Sequence, residues 1–311
     1  MLQNPLLVLL GPTASGKTKL AARLAAGMNA EVISADSRQV FRGMDIGTGK
    51  DLGEYVVDGH MVPHHLINIK EAGEKYNVNE FKDDFYCVFE ELTSRKILPI
   101  LCGGTGMYIH SILQHQPYTA IPVNEVLRNT LIQYNKEDLK SKLAEYPWEL
   151  TKHADQSSHK RMIRAIEIAE YLRCNELTVE ERPVINPFIA GLFSDVVLRR
   201  EKIIKRLQSR FDEGLIDEVS TLLKNGISKE LLEFYGLEYK FVTAHLFGEL
   251  TFPELKDRLS TAICQYAKRQ MTFFRKMEKD GLKIHWFNTD LGIDEINEAI
   301  TDSFTIHMNR P

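Results

Sequence analysis

Short apolar runs alternate with amphipathic stretches over the first third of the chain. The runs cover residues 6–10, 31–36 and 97–102, and residues 64–69 could form a further short strand. Continuous apolar runs of this length are typical of strands buried on both faces of a parallel sheet. Between them, residues 79–95 carry aromatic and aliphatic side chains at helical spacing, which predicts a core-facing helix. The pattern predicts an α/β fold, a parallel sheet flanked by helices.

After residue 117 the alternation stops. Residues 123–134, 137–146 and 157–174 have helical patterns, and the next predicted strand is 192–198. Two long helical stretches, 215–226 and 253–281, and a last strand at 283–287 complete the chain. We therefore expect an α/β core made of residues 1–116 and 191–311, with an all-helical insertion domain at residues 117–190.

A glycine-rich loop follows the first apolar run and precedes a helix. It fits the G-x-x-x-x-G-K-[ST] phosphate loop, in which backbone N–H groups and a helix N-terminus face a diphosphate. The lysine adds a point charge, and the threonine hydroxyl can hold Mg²⁺. The motif indicates a bound di- or triphosphate without fixing the reaction. Its residues are Gly11, Pro12, Thr13, Ala14, Ser15, Gly16, Lys17 and Thr18.

Asp36 closes the second apolar run. In open α/β sheets, ligands bind at the carboxyl ends of the strands. Many phosphate-loop nucleotidases place a magnesium-binding acid after a later strand, but here Cys102, two glycines and Thr105 occupy that position. Asp36 is therefore the carboxylate expected near the phosphates. Residues 37–50 are rich in glycine, and we expect little regular structure there.

Composition and net charge limit the classes of function. The 311-residue chain has a net charge of −4, which argues against a general nucleic-acid binder but leaves room for local basic patches. The four cysteines are scattered without metal-ligand spacing, and Cys87 and Cys102 are predicted to lie in the core. His64 and His65 are adjacent, point to opposite sides of a strand and are interpreted as structural. With no targeting pattern and no 18-residue apolar run, we expect a cytoplasmic protein that does not enter a membrane.

Basic residues are concentrated in three helical stretches. Residues 158–173 hold four cations against two carboxylates, residues 199–210 hold six against one, and residues 268–279 hold five against one. Arg206 and Arg210 share a helix face because they are four positions apart. The planar fork of arginine suits a diphosphate. A basic face returning to the phosphate loop is one interpretation, and ordinary solvated helix faces are the other.

Several motifs together resemble those of the tRNA dimethylallyltransferases, also called tRNA isopentenyltransferases. They are GPTASGKT, ISADSRQVFRGMDIGTGK, VPHHLI, LPILCGGTGMYI, HKRMIRAIEI and AKRQMTFFRK, in this order. The resemblance implies a P-loop NTPase-like parallel sheet with an all-helical insertion. It implies transfer of a dimethylallyl group from dimethylallyl diphosphate to N6 of the adenine on the 3′ side of the anticodon, with Mg²⁺. The partners would be the tRNA anticodon loop and dimethylallyl diphosphate, and we expect a monomer.

The resemblance also implies roles for individual residues. Asp36 would be the general base, Thr105 would contact the acceptor near the reacting centre, and residues 11–18 with Arg210 would hold the diphosphate. The positions matching tRNA contacts are Asp36, Ser37, Arg38, Gln39, Thr105, Arg128, Lys160, Arg161, Met162, Ile163 and Arg164. The chain departs from the usual family pattern at Asp51, Cys264 and Phe273. It also has Glu233 and Glu238 in a stretch where the family often carries basic residues around a Gly-Tyr pair.

Other functions fit parts of the pattern. A phosphate-loop small-molecule kinase would share the loop, but no clear purine-binding loop is present and no acid follows the third strand. An adenylate isopentenyltransferase would use the same donor with a free nucleotide as acceptor. A non-catalytic nucleic-acid-binding switch would not need Lys17, Thr18 and Asp36 to be intact.

Overall fold

The computed structural model describes residues 3–114, 116–178 and 180–309. It contains two compact units. The larger is made of Met1–Gln114 and Pro183–Pro311, and the smaller is His115–Arg182. The smaller unit thus begins at residue 115 and ends at residue 182, whereas the sequence analysis placed its bounds at 117 and 190. Within the described residues, no helix is long and apolar enough to cross a bilayer.

The larger unit is built on a parallel sheet, so the predicted fold class is confirmed. Six of its strands are ordered β5-β2-β6-β1-β7-β8 among the described residues, and β3 and β4 form a separate antiparallel pair. The strands are β1 (Pro5–Leu10), β2 (Ala30–Ser34), β3 (Val56–Val57), β4 (His60–Met61), β5 (His64–His65), β6 (Leu98–Gly103), β7 (Asn186–Phe193) and β8 (Ile284–Asn288).

Helices cover both faces of the sheet and form the smaller unit. In chain order they are α1 (Lys17–Met28), α2 (Val78–Ser94), α3 (Gly106–Leu113), α4 (Glu125–Leu131), α5 (Lys136–Ala144), α6 (Trp148–Thr151), α7 (His159–Cys174), α8 (Val196–Asp212), α9 (Leu215–Lys224), α10 (Lys229–Tyr235), α11 (Leu237–Leu246), α12 (Phe252–Lys279) and α13 (Ile293–Met308). Helices α4 to α7 belong to the smaller unit. Helices α6, α10, α11 and α13 were not predicted from the sequence.

The sheet is buried on both faces, which explains the continuous apolar runs. Val8 and Leu101 pack in one core cluster with the aromatic stripe of α2, as predicted. Leu7 and Leu9 pack in a second cluster with α1 and α13. The prediction that Cys87 lies in the core is wrong: its side chain is exposed, because it points away from the buried stripe of α2. Cys102 is buried as predicted.

The predicted strand at 192–198 is also wrong. The strand β7 ends at Phe193, and a helix begins at Val196. The Asp195 carboxylate accepts hydrogen bonds from the backbone N–H groups of Val197 and Leu198, and so caps α8. The cap turns an apolar stretch that looks like a strand into the first turn of a basic helix.

The smaller unit has its own core. Its buried side chains are Leu131, Leu139, Leu143, Met162, Ile163, Ala165 and Ile166. The carboxylate of Glu167, only 2% exposed, accepts a hydrogen bond from Arg128 at 2.7 Å and lies 3.6 Å from Arg164. A buried carboxylate needs such partners, so this trio links α4 to α7.

Candidate active site

The phosphate loop joins β1 to α1 at the carboxyl edge of the sheet. Its backbone is left-handed at Ala14 (φ +60°) and at Gly16 (φ +76°), which lies directly before α1. A Cβ at Gly11 would lie 3.0 Å from the Cβ of Leu192 and 3.0 Å from the Ser15 hydroxyl, so glycine suits this close approach. The Ser15 hydroxyl is buried and makes no hydrogen bond to the described residues. An unpaired buried donor in such a loop fits an anionic ligand.

A cavity of about 500 Å³ opens beside this loop in the larger unit. It lies at the carboxyl ends of β2 and β6, where the parallel sheet predicts a ligand. Helices α8, α10, α11 and α12 supply the other walls. The lining residues singled out by the sequence are Thr13, Lys17, Thr18, Asp36, Ser37, Arg38, Gln39 and Arg210. The structure thus brings together segments that lie far apart in the chain.

Lys17 provides positive charge in the cavity. Its Nζ donates a hydrogen bond to the carbonyl oxygen of Pro12 at 2.7 Å. Burial and the nearby Arg206 lower the pKa of this ammonium group to about 8, and Asp36 opposes the shift. Burial also raises the pKa of the neighbouring Cys102 thiol to about 12, so that the thiol is neutral. Lys17 is therefore a cation that an arriving diphosphate would stabilise.

Asp36 is held in a defined orientation. One oxygen, Oδ1, accepts a hydrogen bond from the backbone N–H of Arg38 at 2.8 Å. Within the part of the chain that is described, Oδ2 has no hydrogen-bond donor and is open to a ligand. The Thr105 hydroxyl, just before α3, accepts from the backbone N–H of Ser37 at 3.2 Å. Thr105 supports the segment that follows Asp36 but is not among the residues lining the cavity.

The basic face of α8 does return to the phosphate loop. Arg206 and Arg210 both line the cavity, and Arg210 is only 8% exposed. Arg206 pairs with Asp51, and Nη1 of Arg210 lies 2.8 Å from Oε1 of Glu238. Burial lowers the pKa of Arg210, Arg206 lowers it further, and Glu238 opposes the shift. Two of the unusual acids in this sequence are therefore the partners of these two arginines.

The glycine-rich segment 43–50 forms turns, as predicted, and is fastened from two sides. Lys50 is only 1% exposed, and its Nζ donates hydrogen bonds of 2.5 Å to the backbone carbonyl oxygen of Phe41 and to the side-chain oxygens of Asp45 and Asn68. The carboxylate of Glu218 on α9 accepts from the backbone N–H groups of residues 45, 46 and 47 and from the Tyr239 hydroxyl. Gly49 follows with φ +61°, and a Cβ there would lie 1.8 Å from Nη2 of Arg210.

Replacing Glu218 by glutamine is expected to lower the free energy of unfolding by about 2–3 kcal/mol. The amide offers fewer acceptor positions and no charge to the backbone N–H groups of residues 45–47. Chemical denaturation measures the loss, and hydrogen exchange should show faster exchange at these three amides. Glu201→Gln, an exposed acid on α8, is the control. Unchanged exchange at residues 45–47 would contradict the anchoring role.

Gln270 on α12 joins two walls of the cavity. Its Oε1 accepts from the backbone N–H of Thr13 at 2.8 Å, and its Nε2 donates to the carbonyl oxygen of Gly104 at 2.9 Å. Sequence reasoning missed this residue, although it lies in the AKRQ motif. It ties the phosphate loop to the turn after β6.

The remaining predicted tRNA contacts lie in the smaller unit. Lys160 is exposed on α7, and Arg161 pairs with Asp155. Arg164 donates to the backbone carbonyl oxygens of residues 118, 121 and 122, and Arg128 pairs with Glu167. The side chains of Met162 and Ile163 are buried in the core, so only their neighbours offer polar groups at the surface.

A magnesium ion fits the chemistry of the donors at the loop. Thr18 lines the cavity together with Asp36. The described residues contain no group of three metal-ligating side chains. Mg²⁺ commonly takes one or two protein oxygens and completes its shell with phosphate oxygens and water. The fit therefore depends on a phosphate-bearing ligand.

The fold and the cavity define a phosphate-loop α/β protein with its ligand site at the carboxyl ends of parallel strands. The family model described as IPP transferase matches residues 39–277. The chain belongs to the IPP transferase family, and the resemblance seen in the sequence is confirmed.

Similar proteins and structures span nearly the whole chain. "tRNA dimethylallyltransferase 1" of Parabacteroides distasonis is 51% identical over 290 residues, 93% of this chain and 94% of that protein. "tRNA dimethylallyltransferase 2" of Bacteroides fragilis is 47% identical over 290 residues, with the same coverage of both chains. The crystal structure of a tRNA isopentenylpyrophosphate transferase from Bacillus halodurans is 33% identical, with a TM-score of 0.71 and 98% of each chain covered. A eukaryotic dimethylallyltransferase acting on tRNA, 21% identical, shares the fold with a TM-score of 0.79 over 99% of this chain and 81% of that one.

Proposed function

We propose that this enzyme transfers the dimethylallyl group of dimethylallyl diphosphate to N6 of the adenine on the 3′ side of the anticodon in tRNA. The observation that carries the proposal is a single cavity that holds both the phosphate-loop Lys17 and the carboxylate of Asp36. The relatives' names supply the class of donor and acceptor.

The reaction first requires that the departing diphosphate be stabilised. The exocyclic amine of adenine is a weak nucleophile because its lone pair is delocalised into the ring. The allylic C–O bond must therefore break substantially as the C–N bond forms, and the bonding electrons leave with diphosphate. Lys17 and Arg210 line the cavity and would stabilise that negative charge. Loop residues 14–16 line a neighbouring concavity that shares Lys17, Thr18 and Arg206 with the cavity, and their backbone N–H groups would add to the stabilisation. Mg²⁺, held by the Thr18 hydroxyl, would add positive charge to the diphosphate.

The reaction also requires a base that removes a proton from the N6 amine. As the C–N bond forms, the N6 amine becomes acidic, and Oδ2 of Asp36 is open to accept its proton. The same carboxylate could accept a hydrogen bond from N6 earlier and so orient the base. General bases of this kind contribute about 10²–10⁴-fold to rates.

The acceptor is reached because it lies in a single-stranded loop. Bases in loops can be splayed out and bound in a pocket at modest cost. The exposed Lys160 and its neighbours on α7 would contact phosphates, which position the RNA without reading its sequence. We also propose that the enzyme acts as a monomer in the cytoplasm, where its tRNA substrate is found.

Mass spectrometry of tRNA nucleosides tests the proposal. The protein is incubated with dimethylallyl diphosphate and an unmodified tRNA with adenine on the 3′ side of its anticodon. We expect N6-(dimethylallyl)adenosine at that position. Parallel reactions replace the tRNA by adenosine monophosphate, or the donor by ATP. Modification of the free nucleotide alone, or consumption of ATP in its place, would contradict the proposal.

Donor binding is expected to weaken as the pH rises through about 8. Lys17 has a pKa of about 8, so it is protonated below that pH and loses its charge above it. The donor's own phosphate ionises near pH 6 and is fully charged throughout. Binding above pH 8 must therefore take up a proton, and affinity should fall by up to about tenfold per pH unit.

Calorimetry at pH 7, 8 and 9, in buffers of different ionisation enthalpy, measures both the affinity and the proton uptake. Lys17→Arg is the control, because its charge does not titrate in this range. A constant wild-type affinity from pH 7 to 9 would contradict this role of Lys17.

A further inference from the structure

Tyr55 brings a phenol hydroxyl to the active-site cavity, and the mechanism above makes no use of it. The side chain lines the cavity and is only 2% exposed. It lies between the motif that ends at Lys50 and the motif that begins at Val62, so the sequence resemblance assigns it no role. Its surroundings in the structure indicate what it can bind.

The ring of Tyr55 is held in place by its backbone and by a stacked neighbour. It ends a short 3₁₀ turn (Leu52–Tyr55) that precedes the hairpin of β3 and β4. Its carbonyl oxygen accepts a hydrogen bond at 2.8 Å from the backbone N–H of Val62, which follows the hairpin. The ring stacks on the His64 imidazole, with ring centroids 4.2 Å apart and an angle of 28° between the planes. A side chain fixed in this way loses little conformational entropy when a ligand binds to it.

The Tyr55 hydroxyl has no hydrogen-bond partner among the described residues. By contrast, the hydroxyls of the buried Tyr76, Tyr235 and Tyr239 donate to Asp84, to the backbone carbonyl of residue 74 and to Glu218. Burying a polar group without a partner is unfavourable. An unpaired hydroxyl on the wall of a ligand cavity therefore indicates a hydrogen bond that is made with the ligand.

The hydroxyl of Tyr55 is neutral at physiological pH. Burial raises its pKa far above the usual value for tyrosine, and the neighbouring Cys102, Glu54 and Asp36 raise it further. A neutral phenol can donate one hydrogen bond, and an anion is its best acceptor.

Tyr55 lies near the cation of the phosphate loop. Cys102, at the end of β6, affects the pKa of both Lys17 and Tyr55, and all three side chains line the cavity. The two arginines of the cavity are already paired with carboxylates, so a diphosphate must compete with those carboxylates for them. The Tyr55 hydroxyl has no such partner to give up within the described chain.

We propose that the Tyr55 hydroxyl donates a hydrogen bond to the diphosphate of the donor and keeps it while the diphosphate departs. The proton stays on the tyrosine oxygen. Negative charge on the diphosphate grows as the allylic C–O bond breaks, so the hydrogen bond strengthens along the reaction. This inference rests on the proposed function, because the donor diphosphate must first bind at the phosphate loop.

The variant Tyr55→Phe tests this contact, because it removes the hydroxyl and keeps the stacked ring. Calorimetry measures the binding of inorganic diphosphate, the product of the reaction, in the presence of Mg²⁺. We expect the affinity to fall about 10–100-fold, as for other hydrogen bonds to a charged group. Single-turnover transfer at saturating donor and tRNA should slow by up to about 10²–10³-fold. The dissociation constant for tRNA alone should stay within about twofold.

Tyr76→Phe is the matched control. It removes another buried phenol hydroxyl, which donates to Asp84 at 2.7 Å and belongs to a residue that does not line the cavity. Its affinity for diphosphate should equal that of the wild type. The free energy of unfolding should fall in Tyr76→Phe and should not fall in Tyr55→Phe, whose hydroxyl bonds to no described residue.

The pH dependence separates a direct contact from an effect on Lys17. Between pH 7 and pH 9 the free enzyme loses the proton of Lys17, whose pKa is about 8, while Tyr55 stays protonated because burial raises its pKa. The ratio of wild-type to Tyr55→Phe affinity for diphosphate should therefore be the same at both pH values. A loss confined to pH 7 would show that Tyr55 acts through Lys17 and would overturn the proposal.

The remaining outcomes distinguish this inference from the proposed function. If the wild-type protein modified tRNA but Tyr55→Phe bound diphosphate normally, the inference would fail while the proposed function stood. A normal affinity for diphosphate together with a raised KM for tRNA would instead assign the hydroxyl to the adenine. If the wild-type protein neither bound diphosphate nor modified tRNA, both would fail.

Discussion

Replacing Asp36 by alanine is expected to lower turnover by about 10²–10⁴-fold. The carboxylate lines the cavity, one oxygen is fixed by the backbone N–H of Arg38, and the other is open to the N6 amine. The donor and tRNA are held mainly by other groups, so their dissociation constants should change little. Single-turnover kinetics at saturating substrates measures the chemical step directly.

Asp36→Asn separates chemistry from loop geometry. Its side-chain oxygen can still accept the hydrogen bond from Arg38, so the turn after β2 is kept, but an amide cannot take the proton. We expect a loss similar to that of Asp36→Ala. Wild-type turnover in Asp36→Asn would show that the position acts only through the turn.

Replacing Arg210 by glutamine is expected to weaken donor binding by about 10–100-fold, because one hydrogen bond between charged groups contributes about 1.5–3 kcal/mol. Affinity for tRNA should stay within about twofold. Glu238→Gln should have the opposite effect, since it frees the guanidinium from the partner 2.8 Å away. Donor titrations by calorimetry measure both.

The buried pair requires its own control. Arg210→Gln leaves the half-buried Glu238 without its cation, and breaking a buried pair can destabilise a protein by about 3–5 kcal/mol. The double variant Arg210→Gln/Glu238→Gln removes that cost, so a donor defect that persists in it belongs to Arg210. Equal loss of donor and tRNA affinity in both variants would show that Arg210 does not act on the donor. Lys205→Gln on the same helix should bind both substrates normally.

The local parts of the site could be predicted because their signals are contiguous in the chain. Gly11 to Thr18 specify a strand, a turn and a helix within a few residues, and Asp36 follows the apolar run that becomes β2. The basic face of α8 needed only four-residue spacing between Arg206 and Arg210.

Long-range pairings could not be predicted in this way. Asp51 lies 155 positions from Arg206, and Thr13 lies 257 positions from Gln270. No local pattern states that an acid will neutralise a given arginine. Strand β7 was misplaced because Pro187 and Gly191 look like loop residues, yet a Cβ at Gly191 would lie 2.6 Å from the Trp286 ring. That glycine makes room for a side chain nearly a hundred positions away.

The two hydrogen bonds made by the Gln270 side chain have a consequence for ligand binding. Its side-chain amide hydrogen-bonds both the backbone N–H of Thr13 and the carbonyl oxygen of Gly104, and so links both to the 28-residue helix α12. Both rims of the pocket are thus preorganised before any diphosphate arrives, and little conformational entropy remains to be lost on association. The free energy of binding the diphosphate is then available to hold it in the geometry from which the allylic C–O bond breaks.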